Sequence, residues 1–74
     1  MDDVYTSEYY NDLGWLYLRQ KKYESAKENF LQLLEFNPDY LGSNTALEFI
    51  YRNAGNHKKA DEYLNASLLD DPDK

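Results

Sequence analysis

The chain repeats itself. Slid against itself by 34 positions, it sets Leu13 on Leu47, Tyr17 on Tyr51, Ala26 on Ala60, Glu28 on Glu62, Leu34 on Leu68, Pro38 on Pro72 and Asp39 on Asp73. Conservative pairs join them: Trp15 with Phe49, Leu16 with Ile50, Phe30 with Leu64. Most of these residues set packing or turns. A period in this range means that one small structural unit is used twice, each burying a face the other cannot bury alone. At 74 residues the period accounts for nearly the whole chain, as an arm over 1–6, one repeat over 7–40 and a second over 41–74.

Each repeat reads as two helices. Tyr10, Leu13, Leu16 and Tyr17 recur at helical spacing and predict a helix over Ser7–Gln20. After a break at Gln20-Lys21-Lys22, Tyr23, Ala26, Phe30, Leu33 and Leu34 predict a second over Tyr23–Phe36, ended by Asn37-Pro38-Asp39. Leu47, Ile50, Tyr51 and Ala54 mark the third helix. Gly55 supplies a left-handed stop and Asn56 a cap for the fourth, whose face is Ala60, Leu64 and Leu68. Short breaks favour antiparallel pairs. No alternation predicts a strand, so the expected class is all-α. Gly14 and Ala26 are small where two helices approach closely, as is Ala60 in the second half.

The order Tyr10, Leu13, Gly14, Tyr17, Ala26, Phe30, Pro38 resembles the tetratricopeptide repeat signature, with Tyr10 standing where that signature has Trp. The second half keeps Leu47, Tyr51, Ala60, Leu64 and Pro72 but has Asn44 for the aromatic and Glu48 for the glycine. The resemblance covers residues 7 to 74. It implies two tandem helix-turn-helix hairpins, that is, four antiparallel helices in a right-handed α-solenoid segment.

In that family the first helix of each repeat lines a groove that binds peptides or partner helices. Carried over by alignment, this gives Glu8, Asn11, Trp15, Leu18 and Arg19 in the first repeat, and Thr45, Phe49, Arg52 and Asn53 in the second. Trp15 and Phe49 are one period apart, and the signature demands neither. Trp and Arg are types enriched at binding hot spots. Two readings stand for Trp15: an exposed groove anchor, or internal packing under the N-terminal arm (against Val4 or Tyr5) or on Phe49. Some family members clamp the carboxylates of acidic chaperone tails with Lys, Asn and Arg spread over three repeats. Here the matching columns hold mostly Asn11, Trp15, Ala46 and Phe49, so that role is rejected. The implied function is an adaptor or co-chaperone-like module for an apolar or amphipathic protein segment. The alternative is self-assembly, a homo-oligomer burying the same aromatics.

Composition narrows the rest. Eight bases against 14 acids leave a net charge of −6, which argues against nucleic acid and anionic membrane as partners. With no cysteine, neither disulfides nor a zinc knuckle are available to so small a core. No apolar run is long enough to insert in a membrane. The acidic start lacks a secretory pattern, so a cytoplasmic location is expected. His57, the sole histidine, reads as a surface turn residue, and the tail Asp70-Asp71-Pro72-Asp73 lacks the glycine and distal glutamate of a calcium loop. No nucleophile motif, phosphate loop or cofactor fingerprint is present, so an enzyme is not expected. Nine of the twelve aromatics lie in residues 1 to 40, so the first repeat should hold most of the core. In the last helix Asn65, Ser67 and Asp70 stand where the first repeat has Leu31, Leu33 and Phe36, which reads as a polar C-terminal end. The opposite change is Glu35 to Leu69. Two repeats without a further capping helix point to self-association or a bound partner.

Overall fold

A computed structural model of the chain describes residues 3–38, 40 and 42–69. Four helices follow one another: α1 Asp3–Arg19, α2 Tyr23–Phe36, α3 Ser43–Asn53 and α4 His57–Leu69. The chain divides into two compact units, Met1–Tyr40 and Leu41–Lys74. In the first α1 packs on α2, and in the second α3 packs on α4. No strand occurs among the described residues. Asp39 and the tail Asp70-Asp71-Pro72-Asp73 lie outside them, as does the exchange of Phe36 for Asp70.

The two hairpins turn through the same backbone. After α1, Lys22 N–H donates to Tyr17 O (2.9 Å) and Lys21 N–H to Leu18 O (3.0 Å). After α3, Asn56 N–H donates to Tyr51 O (2.9 Å) and Gly55 N–H to Arg52 O (3.0 Å). Both are Schellman motifs, which need a left-handed residue just past the helix. Gly55 supplies it at φ 85°, and Lys21 adopts it at φ 63°. The residue after each turn starts the next helix, through Ala26 N–H to Lys22 O and Ala60 N–H to Asn56 O, both 3.0 Å. Asn56 also caps with its side chain, Oδ1 accepting from Lys59 N–H at 3.2 Å. Lys22 makes no side-chain cap. Lys58 and Lys59 fall in the first turn of α4, not in the turn before it.

The core of the first hairpin is built around one close approach. A Cβ placed on Gly14 would stand 2.7 Å from the Phe30 ring, nearer than carbon atoms tolerate. Glycine therefore lets α1 settle onto the ring, and Phe30 is fully buried beside Ala26 and Leu33. Full burial of a side chain of this size contributes about 1.5–3 kcal/mol. Tyr10 stacks on Phe36 with centroids 5.7 Å apart.

The second hairpin closes otherwise. Glu48 occupies the position of Gly14, and Leu64, which answers Phe30, is partly exposed. Ala60 is buried as expected, but Leu68 is exposed with Leu64. Tyr51 and Tyr63 stack instead, 5.5 Å apart and nearly parallel. On α3 the buried residues are Ser43, Asn44, Ala46, Leu47 and Ile50. The expected face included Ala54, which is exposed because it stands past the helix end. Leu16 of α1, also expected in the core, is exposed. The α1 helix begins at Asp3 rather than Ser7, since neither proline nor glycine stands between them to stop it.

Candidate functional site

The nine residues expected on the first-helix faces all lie in α1 and α3. Within α1, Glu8, Asn11, Trp15, Leu18 and Arg19 follow helical steps of three, four and one, so they share one side of the helix. Glu8 and Arg19 are exposed, while Asn11 and Leu18 are half-buried. In α3, Thr45, Phe49 and Asn53 step by four and are exposed.

Trp15 is partly packed and partly exposed. Its ring meets Phe30 edge-on, centroids 5.4 Å apart at 81°. Its Nε1–H donates to Asn11 Oδ1 one turn earlier, at 3.1 Å. The residue still keeps 39% of its surface exposed. The packing is thus onto the core of its own hairpin, through a partner that sequence spacing did not single out. Two contacts fix the indole, and one side remains open. Phe49, one period on, is 49% exposed.

Arg52 is committed within its own hairpin. Its Nε donates to Glu48 Oε2 at 2.6 Å and its Nη2 to Asp61 Oδ1 of α4 at 3.0 Å. The bond to Glu48, and then that to Asp61, hold the guanidinium above its ordinary pKa. Arg52 therefore ties α3 to α4, and two acids already neutralise it. Glu48, missed as a functional position, is what replaces the close approach of the first repeat with an ion pair. The i, i+4 spacing of Glu48 and Arg52 was the available signal.

Elsewhere the surface offers little chemistry. A hollow of about 370 Å³ lies along α2, lined by Glu28, Leu31, Gln32 and Glu35. Among the described residues no three of His, Asp or Glu gather to hold a metal ion. None of the described helices is long and apolar enough to cross a membrane.

Paired helices of one length class, turned by one Schellman geometry and repeated at one period, define a helical-repeat protein. Residues 7–40 match the family model of the tetratricopeptide repeat, and the four helices fit two such repeats, consistent with an assignment to that family. The tetratricopeptide repeat is a non-enzymatic repeat that mediates protein–protein interaction. No curated protein and no solved structure matches the chain.

Proposed function

We propose that the chain is an interaction module of the adaptor or co-chaperone kind. It would hold an apolar or amphipathic segment of a partner protein against the first-helix faces of its repeats, with Trp15 and Phe49 as anchors. One observation carries this reading: two large aromatic residues at equivalent positions of α1 and α3 are both partly exposed. Trp15 is also immobilised by Phe30 and Asn11, so little rotamer freedom is left for binding to remove. Glu8, Asn11, Leu18 and Arg19 would flank the Trp15 anchor, and Thr45, Arg52 and Asn53 the Phe49 anchor. With Arg52 already neutralised, this set suits apolar anchors better than a carboxylate clamp.

The test is replacement of both aromatics, Trp15→Ala with Phe49→Ser, in a variant whose circular dichroism is unchanged. Loss of affinity for the cognate partner by about a hundredfold is expected for a pair of hot-spot residues. Unchanged affinity would remove both anchors from the site. Light scattering on the pure protein decides the alternative. A concentration-dependent dimer that the double variant abolishes would make the same aromatics a self-assembly face.

A further inference from the structure

A second face of α1 is unused by the reading above. Tyr5, Tyr9, Asp12 and Leu16 step by four, three and four residues along the helix. That spacing draws one straight seam, of the kind that meets another helix. The whole seam is exposed, Tyr9 by 60% and Leu16 by 42%.

The second repeat shows what such a seam is for. One period on from Tyr9, Asp12 and Leu16 stand Ser43, Ala46 and Ile50 of α3, and all three are buried. The same side of the first helix is thus a packing face in the second repeat and an open one in the first. Position by position, the open copy carries Tyr9, Asp12 and Leu16 where the buried one carries Ser43, Ala46 and Ile50, so it keeps an aromatic and an aliphatic residue in solvent and adds a single carboxylate between them.

Charge selects the occupant. Between Asp3 and Arg19 the chain has no base, while Glu8 and Asp12 are both exposed. Neither enters an ion pair among the described residues. Asp12 sits inside the seam between Tyr9 and Leu16, where a docked helix would cover it. Covering an unpaired carboxylate is costly, so the covering helix must bring a cation to that point. A second copy of the chain fits poorly. Each copy carries a net charge of −6, and the exposed leucines of α4, Leu64 and Leu68, follow Asp61 and Glu62 with no base between.

We propose that the Tyr5–Tyr9–Asp12–Leu16 face of α1 docks a basic amphipathic helix of a partner protein, which sets its apolar residues between the tyrosines and Leu16 and a Lys or Arg against Asp12. The face differs from the Trp15 and Phe49 side, so either site can fail without the other.

The probe is a synthetic two-heptad peptide with Leu along one face and Lys on its flanks, beside its Glu-flanked counterpart. Amide chemical shifts of the whole chain follow the titration, and Trp15 fluorescence gives a second signal. The Lys peptide is expected to move the amides of Tyr5 to Leu16 and the Glu peptide to leave them in place. Asp12→Lys should weaken the Lys peptide about tenfold and admit the Glu peptide. Glu28→Lys makes the same change in net charge on exposed α2, and should cost less than about threefold. Tyr9→Ser should weaken binding in a chain whose circular dichroism is unchanged, and Phe49→Ser should not. Equal losses from Asp12→Lys and Glu28→Lys would reduce the effect to bulk charge and overturn the proposal. So would no binding at all, binding that only Phe49→Ser removes, or a dimer of the pure chain that Leu16→Asp dissolves.

Discussion

Between α1 and α2 the chain places Lys21-Lys22. One period later, between α3 and α4, it places Gly55-Asn56. The backbone hydrogen bonds of the two turns agree to within 0.1 Å. The residues making them do not agree in fitness. Gly55 reaches the left-handed region without steric cost, whereas Lys21 holds it against the crowding of its own Cβ. Asn56 caps the following helix and Lys22 does not. At one pair of equivalent interior positions the order is reversed. Hairpin one buries Phe30 against Gly14, while hairpin two leaves Leu64 partly in solvent. Each hairpin is strong where its twin is weak, so the shared geometry belongs to the repeat and its stability is distributed differently in each copy.

The largest effect that can break this comparison lies in the core. Phe30→Ala should cost about 3–5 kcal/mol, as for a fully buried aromatic, and Leu64→Ala about 1 kcal/mol or less. Amide exchange read separately in each hairpin measures both. Gly14 sharpens the point. In the native chain Gly14→Ala drives a Cβ into the Phe30 ring, and overpacking of about 1–3 kcal/mol outweighs a helix-propensity gain of about 1 kcal/mol. After Phe30→Leu, which copies hairpin two, the ring is gone and Gly14→Ala should become stabilising. If Gly14→Ala keeps its sign in both backgrounds, the glycine is not there for the ring.

The turns rank next. Exchanging them, Gly-Asn into positions 21 and 22 and Lys-Lys into 55 and 56, should stabilise hairpin one by about 1–2 kcal/mol and destabilise hairpin two by a similar amount. Thermal melting together with per-hairpin amide exchange would show the transfer. If neither hairpin moves, the left-handed Lys21 and the Asn56 cap contribute nothing.

Those differences also explain how far the sequence could be read. Tyr23–Phe36 is legible to the residue because a turn and a proline bound it. The extension of α1 to Asp3 was not, because no cap or breaker marks its start. Lys21 gives no hint of a positive φ, which only its place opposite Gly55 in the period reveals. The core of α2 follows its apolar spacing, but α3 buries Ser43 and Asn44, polar residues that periodicity passes over. At the candidate site the sequence left exposure and internal packing of Trp15 both open, and it did not single out Phe30 as the ring that Trp15 meets. Apolar spacing identifies one face of a helix, whereas a side chain at the boundary of that face touches the core and solvent together.

The smallest effect is confined to hairpin two and appears only in alkali. Tyr63 stacks on Tyr51, and burial, then the neighbouring Tyr51, pushes its hydroxyl above the ordinary value of 10.0. Lys59 opposes the shift without cancelling it. Hairpin one has no counterpart: Tyr17 answers Tyr51, but Asn29 answers Tyr63 and donates to Ser25 O at 2.8 Å. The unfolded chain loses the Tyr63 proton near pH 10, while the folded chain still keeps it. Folding is then linked to proton retention, so stability falls as pH rises. The contribution is complete below the unfolded value and is lost as pH climbs through the raised one. Melting curves between pH 9 and 11 should therefore fall more steeply for the native chain than for Tyr63→Phe, which keeps the stacked ring and has no proton to lose. Equal slopes would mean that the hydroxyl is as well solvated in the fold as in the unfolded chain, and that the stack of hairpin two is held by its ring faces alone.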